Sequence, residues 1–269
     1  MINPAIVVTP ATLPNATQNQ FNYSQTLGTT GGTGAKTFAV TSGNLPTGMN
    51  LNSTTGILSG TPTVANTFNF TVTATDSVGA TGVKDYTIVV AGPVNITTAT
   101  LSNWTQNFAG YSQQVAATGG TGALTYTIAS GSLPTGLNLN PANGTVAGTP
   151  TDVGTFAFTI RATDPLGAFA AQNFAVTIST PLNITPTTLP GGFKSQQYQQ
   201  FILASGGTGT HVMSLSNVVN NFANIGINII GDIVQVLGMS DVPGAISFTV
   251  TATDTVGATS SRNYTVNFV

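Results

Sequence analysis

One unit of roughly 90 residues recurs three times along the chain. The string GGTG recurs after 88 and then 87 residues, starting at Gly31, Gly119 and Gly206. A second marker, TATD or RATD, recurs after 88 and then 90 residues, ending at Asp76, Asp164 and Asp254. This period is the size of a small autonomous domain and is too long for a solenoid repeat. The sequence therefore predicts three tandem domains, spanning residues 1–92, 93–180 and 181–269.

Apolar and polar residues alternate strictly around each TATD string. In the first unit Phe68, Phe70 and Val72 alternate with Asn, Thr and Thr, and the other two units repeat this pattern at 156–162 and 246–252. Such alternation is typical of strands with one buried and one solvated face. Turn-forming strings such as SGNLPTG and DSVGA separate the runs. The predicted fold class is all-β, with two packed sheets in each unit.

The same strings carry a family resemblance. The first unit contains LPTGMNL, TGILSGTPT and TATDSVGA, and the second contains LPTGLNLN, GTVAGTPT and RATDPLGA. They resemble the He-PIG family of bacterial immunoglobulin-like domains, which is related to cadherin-like and dystroglycan-type modules. The third unit keeps GGTG and TATD but replaces the LPTG and SGTP segments. The resemblance implies three tandem immunoglobulin-like β-sandwich domains forming an elongated rod, used as spacers or adhesive modules, and it carries no active site.

The first GGTG string continues as GGTGAKT, which is close to a phosphate-binding loop. A P-loop has a glycine directly before its lysine, whereas Ala35 precedes Lys36 here. The other units keep the glycines and place Leu124 and His211 where the first has lysine. We therefore interpret the loop as a turn, and we predict no nucleotide and no other cofactor.

Charged residues make up only 4% of the chain, with five Lys and Arg against seven Asp and a net charge of −2. Ordinary domains contain about 25%. This composition excludes a basic footprint for nucleic acid and a polybasic membrane patch, and no apolar stretch reaches the ~20 residues of a membrane span. Cysteine is absent, which excludes disulfides and thiolate sites. An uncharged exterior suits a protein held in contact with others.

The three recurring aspartates, Asp76, Asp164 and Asp254, are the candidate metal ligands, since acids in cadherin-like modules often bind calcium. Calcium takes six to eight oxygen ligands, usually from several carboxylates. The strings between the units, AGPVNIT and STPLNIT, contain no acid. The interpretation that the sequence favours is an aspartate that opens a tight turn and accepts a hydrogen bond from the N–H two residues on.

Histidine and aromatic residues are the remaining candidates for chemistry. His211 is the only histidine, and a triad or zinc site needs partners that the surrounding sequence does not supply, so we expect it on a strand surface. Tyr23, Tyr111 and Tyr198 occupy matching repeat positions and are predicted to pack in the core or at its edge. The alternative is that an exposed aromatic, with Trp104 as the first candidate, stacks on a sugar ring.

The third unit contains the most apolar run of the chain, NIGINIIGDIVQVLG. It either forms a longer paired strand inside the sandwich or lies on the surface of a neighbouring protein. In the second case the predicted interaction residues are Ile229, Ile230, Ile233, Val234, Val236 and Leu237.

Together these features predict a non-catalytic structural or adhesive surface protein. The leading hypothesis is a virion exterior component (a decoration, fibre or tail-associated protein), because MINPAIVVTP lacks the basic start of a signal peptide and a virion component needs none. The alternatives are a fragment of a bacterial cell-surface adhesin or S-layer-like protein, and a carbohydrate-binding module. The predicted partners are other virion or surface-assembly proteins, surface glycans and further copies of the chain within an assembly.

Overall fold

The computed structural model describes residues 4–269, and within this range all regular secondary structure is β-strand. Residues 1–3, with which the first predicted domain begins, lie outside the described residues. No helix within 4–269 is long and apolar enough to cross a membrane. The prediction of an all-β chain is confirmed.

The first unit is a sandwich of two sheets. Its strands are β1 (Val7–Thr9), β2 (Ala16–Thr17), β3 (Tyr23–Thr26), β4 (Gly28–Thr30), β5 (Lys36–Gly43), β6 (Met49–Leu51), β7 (Ile57–Gly60), β8 (Asn66–Asp76) and β9 (Thr81–Ala91). One sheet has the order β2-β9-β8-β5 and the other β3-β7-β6, while β1 pairs with β4. Strand β2 runs parallel to the final strand β9, and the other pairs are antiparallel.

The second unit repeats this topology. Its strands are β10 (Asn95–Ile96), β11 (Trp104–Thr105), β12 (Tyr111–Gln114), β13 (Ala117–Thr118), β14 (Thr125–Gly131), β15 (Leu137–Leu139), β16 (Thr145–Gly148), β17 (Gly154–Thr163) and β18 (Phe169–Ser179). The sheets have the orders β11-β18-β17-β14 and β12-β16-β15, with β10 paired to β13. As in the first unit, the short strand β11 runs parallel to the last strand β18.

The third unit distributes its strands differently between the two sheets. They are β19 (Asn183–Thr185), β20 (Gln197–Ser205), β21 (Val212–Asn220), β22 (Ile225–Ile230), β23 (Ile233–Met239), β24 (Gly244–Thr253) and β25 (Thr259–Phe268). The orders are β19-β20-β23-β22 and β21-β24-β25. The apolar run of the sequence thus forms the hairpin β22–β23 within the sandwich, which is the first of the two interpretations given above.

Each unit has its own apolar core between the two sheets. The long hairpin β8–β9 shows how the alternating sequence forms this core. Phe70, Val72 and Ala74 are buried between the sheets, while the threonines between them lie on the other face. Full burial of a side chain such as Val72 contributes about 1.5–3 kcal/mol before entropy is subtracted. Since the three cores are separate, the chain consists of three tandem immunoglobulin-like sandwiches.

The GGTG loops are turns that pack against the segment entering each sandwich. Gly119 has a φ of 78°, and a Cβ added to it would lie 2.0 Å from the carbonyl oxygen of Pro93. Both the left-handed conformation and the close approach require glycine. Lys36, the lysine of GGTGAKT, donates a 2.6 Å hydrogen bond to the carbonyl oxygen of Gly34 in its own loop.

The tyrosines at matching repeat positions are buried, which confirms the packing interpretation. Burial raises the pKa of Tyr23, Tyr111 and Tyr198 to about 12. The Tyr23 and Tyr198 hydroxyls each donate a 2.8 Å hydrogen bond to a proline carbonyl, that of Pro14 or Pro190. The Tyr111 hydroxyl is buried without a hydrogen-bond partner among residues 4–269.

Because only Tyr23 has a hydrogen-bond partner, removal of the hydroxyl at Tyr23 and at Tyr111 should change domain stability differently. Tyr23→Phe should lower the free energy of unfolding of the first domain by about 1 kcal/mol, because it removes a hydrogen bond and leaves the Pro14 carbonyl without its donor. Tyr111→Phe should leave the second domain unchanged or slightly more stable. Native-state hydrogen exchange, resolved by peptide, measures each domain separately. Equal losses in both variants would contradict the assignment.

Candidate functional site: the domain junctions

Each recurring aspartate opens the turn after the long central strand of its domain. One carboxylate oxygen of Asp164 accepts hydrogen bonds from the N–H groups of Leu166, at 3.0 Å, and Ala168, at 2.9 Å. Asp76 and Asp254 accept the same two bonds in their own turns. The bond from the N–H two residues on is the one that the turn interpretation predicted.

The second carboxylate oxygen binds the GGTG loop of the same domain. The donors are the backbone N–H groups of Thr33, Thr121 and Thr208, at 2.7, 3.0 and 2.8 Å from Asp76, Asp164 and Asp254 respectively. A single carboxylate therefore joins the two strings that recur together in the sequence. Their common spacing reflects one hydrogen-bonded unit in each domain.

Two of these carboxylates also bind a threonine of the preceding domain. The Thr17 hydroxyl donates to Asp164 Oδ2 at 2.6 Å, and the Thr105 hydroxyl donates to Asp254 Oδ2 at 2.5 Å. Thr17 and Thr105 lie in β2 and β11, the short strands that run parallel to the last strand of their domains. Both threonines are buried, so the interdomain hydrogen bonds are shielded from water.

A second threonine completes each junction. Thr121 Oγ1 lies 2.8 Å from Thr17 Oγ1 and donates to the carbonyl oxygen of Ala16 at 3.0 Å, and Thr208 Oγ1 lies 2.7 Å from Thr105 Oγ1. We define the junction 1 cluster as Thr17, Thr121 and Asp164, and the junction 2 cluster as Thr105, Thr208 and Asp254. The two clusters have the same composition, and both have the threonine–aspartate and threonine–threonine contacts.

Hydrogen bonding lowers the pKa of two of these side chains, Asp254 and Asp76. Burial works to raise the pKa of Asp254, but hydrogen bonds from the Thr105 hydroxyl and from the amides of Thr208, Ala258 and Val256 outweigh it, so the pKa is lowered. The pKa of Asp76 is also lowered, chiefly by the Thr33 amide, against an opposing contribution from burial. Both side chains are therefore held as carboxylates, the form that accepts all these bonds.

The same geometry bears on the candidate calcium ligands Asp76, Asp164 and Asp254. Their oxygens face N–H and O–H donors, whereas a calcium site presents several oxygens with free lone pairs. Within residues 4–269 no group of three or more His, Cys, Asp or Glu is placed to hold a metal ion. All three aspartates instead join two segments of their own domain, and Asp164 and Asp254 also hydrogen-bond to the preceding domain.

Other residues singled out from the sequence are committed to local packing. His211 Nε2 lies 2.7 Å from the carbonyl oxygen of Gly206, in the loop before β21. The Trp104 ring stacks on Phe108 at 5.6 Å and meets Tyr111 edge-on at 5.5 Å, and its Nε1 donates to the Phe108 carbonyl oxygen at 2.8 Å. Trp104 is therefore half-buried beside junction 2, not presented as an open stacking platform.

The predicted interaction residues of the third domain differ in their exposure. Val234 and Val236 are fully buried in the core, so a partner cannot reach them. Ile229 and Ile230 are exposed, and Ile233 and Leu237 are half-buried. Phe201 and Leu203 on β20, which were not predicted from the sequence, are also exposed and pair in register with Gln235 and Ile233. The alternation in QYQQFILAS was the signal that could have identified them.

The junction threonines were also missed. Thr17 and Thr105 occupy equivalent places in NATQN and NWTQN, whereas the third unit has GGFKSQ there. The recurrence of these two strings was a signal for the position. It did not reveal the partner, which lies in the following domain.

Comparison with known proteins places this architecture among immunoglobulin-like repeats. Residues 3–91 and 93–179 match the family described as "Putative Ig domain" (He_PIG). The "Serine-rich adhesin for platelets" of Staphylococcus aureus is 32% identical over 147 residues, which is 54% of this chain but 6% of that adhesin. The adhesin of strain MRSA252 is 33% identical over 151 residues, or 11% of its length. The chain thus spans only a small part of these relatives.

Solved structures with a similar path include the I-band fragment I67-I69 of titin. It is 13% identical, with a TM-score of 0.48, and the match covers 100% of this chain and 99% of the fragment. Protocadherin Gamma B2 extracellular cadherin domains 3-6 give 12% identity and a TM-score of 0.38, over 100% of this chain and 76% of theirs. The two stretches that match the family sequence pattern make up well over half of the chain, and the chain accordingly belongs to the He_PIG family of immunoglobulin-like domains.

Proposed function

We propose that the chain is a non-catalytic structural and adhesive surface protein, in which the sandwiches act as spacers with a fixed relative orientation. The observation that carries this proposal is the recurrence of one buried hydrogen-bonded cluster at both junctions. A hydrogen bond to a charged group is worth about 1.5–3 kcal/mol. Separating two domains at a junction also leaves a carboxylate without one of its donors, which opposes bending.

The connections between the domains are short. Strand β9 ends at Ala91, and Val94 already packs in the core of the second domain. Strand β18 ends at Ser179, and Ile184 lies in the core of the third. Both connections contain a proline, Pro93 or Pro181, which stiffens a linker. With boundaries after residues 92 and 180, as the sequence predicts, no flexible linker separates the proposed spacers.

The adhesive part of the proposal rests on the likeness to the staphylococcal adhesin. This likeness favours the surface of a bacterial cell, whereas a place on the virion exterior remains a prediction from the sequence. The partners that we propose are other surface-assembly proteins, which would contact the exposed apolar residues Phe201, Leu203 and Ile230 of the third domain. Mass spectrometry of purified cell envelopes and of virus particles from the source distinguishes the two locations.

Removal of one junction hydroxyl should loosen one junction. The chain has no cysteine, so Ala142→Cys and Ser214→Cys, both at exposed positions, give unique spin-label sites on the second and third domains. We expect a narrow distance distribution by double electron–electron resonance. In Thr105→Val the distribution should broaden, because Asp254 loses its donor from the second domain.

Thr249→Val provides the matched control. It makes the same change from hydroxyl to methyl on β24 of the third domain, where the Thr249 hydroxyl bonds to Asn263 away from the junction. Its distance distribution should equal that of the unsubstituted chain. If Thr105→Val also leaves the distribution unchanged, the junction 2 cluster does not restrict interdomain motion and the proposed spacer mechanism is wrong.

Junction 2 should also weaken in acid. Because the folded-state pKa of Asp254 is lowered, its contribution is complete above the unfolded pKa of about 3.9 and is lost as the pH falls through the folded value. The spin-label distribution should therefore stay narrow at pH 6 and broaden below about pH 4. In Thr105→Val the change with pH should be smaller, since that variant lacks the hydroxyl that helps to lower the pKa. An equal acid response in both proteins would contradict this assignment.

A further inference from the structure

A groove with a volume of about 230 Å³ opens beside the junction 1 cluster. One wall belongs to the first domain, where the segment Gln18–Phe21 follows β2. The other wall belongs to the second domain, with Pro93 and Val94 from the connection and Gly167–Phe169 from the turn that Asp164 opens. The groove is formed only where the two domains meet.

Two phenylalanines give this groove exposed aromatic surface. Phe21 is 77% exposed and Phe169 is 53% exposed. The guanidinium of Arg161 lies 3.6 Å from the centre of the Phe169 ring. The guanidinium therefore covers one face of the ring, and Arg161 is not among the residues that line the groove. With Arg161 in place, more than half of the Phe169 side chain remains accessible to a ligand.

The polar groups of the groove are uncharged amides. The Asn19 side chain makes no hydrogen bond with another described residue, and the Gln20 amide uses only its Oε1, which accepts from the Thr17 N–H at 3.1 Å. Gln18 donates through Nε2 to the carbonyl oxygen of Thr63. None of the lining residues carries a charge. The groove thus offers amide donors and acceptors beside aromatic rings, which fits a neutral ligand with hydroxyl groups and an apolar face.

The equivalent groove at junction 2 provides an internal comparison. It keeps two of the amides, as Gln106 and Asn107, but Phe108 stands where junction 1 has Gln20, and Thr259 stands where junction 1 has Phe169. Ala109 stands where junction 1 has Phe21. Junction 1 therefore has two exposed aromatic rings and a third amide, whereas the aromatic ring of the junction 2 groove, Phe108, is half-buried against Trp104.

We propose that the junction 1 groove binds a neutral carbohydrate. The apolar C–H face of a pyranose ring stacks on Phe21 and Phe169, and its hydroxyl groups bond to the amides of Asn19 and Gln20. This inference deepens the adhesive part of the proposed function by naming a ligand class. It is tested on purified protein, so that its failure leaves the spacer role to be decided by the spin-label distances.

The test is binding of the full chain to glycans that are displayed multivalently, because a groove of this size holds few sugar atoms and each contact is weak. The array contains glycans ending in glucose, galactose, mannose and N-acetylhexosamines, together with sialylated glycans. We expect binding to one or more of the neutral glycans. Phe21→Ala and Phe169→Thr should each reduce it by about tenfold, the effect of losing one aromatic stack.

Phe193→Ala is the matched control, since Phe193 is 60% exposed on the third domain and lies outside the groove. It should retain full binding. Phe169→Thr introduces the residue that junction 2 carries naturally, so the turn is expected to fold, and circular dichroism of each variant should equal that of the unsubstituted chain. Absence of neutral-glycan binding, binding confined to sialylated glycans, or binding that Phe21→Ala and Phe169→Thr leave intact would each overturn the proposal.

Discussion

The carboxylate that follows the central strand of each domain is the group on which the rest of the structure depends. In a chain with only 4% charged residues, it is a buried charge, and a buried charge is tolerated only when it is fully hydrogen-bonded. Asp164 meets this condition with donors from its own turn, from the GGTG loop and from the preceding domain. The need to satisfy one side chain therefore fixes the positions of three segments that are far apart in the sequence.

Local patterns were sufficient to predict the part of the structure that local physics decides. The alternation through Phe70, Val72 and Ala74 determines which side of β8 is buried. Aspartate favours turns because its side chain hydrogen-bonds to nearby backbone N–H groups, so the role of Asp76 could be predicted from its residue type. The Thr17–Asp164 bond has no comparable signal, because its members are separated by 147 residues. In a threonine-rich chain, nothing in the local sequence distinguishes Thr17 from the threonines on the strand surfaces. A contact of this kind is visible only once two domains are placed side by side.

The third domain shows a second limit of sequence reasoning. In the run IVQVLG the apolar residues on the two faces are nearly indistinguishable, so the sequence could not separate buried Val234 and Val236 from half-buried Ile233 and Leu237. In the structure, β23 pairs with β20 so that Leu203 lies opposite Ile233, which puts both side chains on the outer face of the sheet. The loss of the SGTP string also concealed an equivalence: Gly238 approaches the backbone of Asn224 and Ile225 as Gly148 approaches that of Gly136 and Leu137. Both positions require glycine because a Cβ would clash with the neighbouring backbone, although the residues around them differ.

The two junctions share their interdomain hydrogen bonds but differ in the residues that line the grooves beside them. Phe169 and Thr259 occupy equivalent places beside carboxylates with equivalent bonds, and neither side chain takes part in the cluster. Substitution there changes the chemistry of the groove while the hydrogen bonds that join the domains stay the same. The two walls of the groove belong to different domains, and in the proposed spacer mechanism the Thr17–Asp164 bond is what keeps their separation constant. The proposed carbohydrate site therefore requires the proposed stiff junction, because a site between two sandwiches can hold a ligand only while its two walls stay in place.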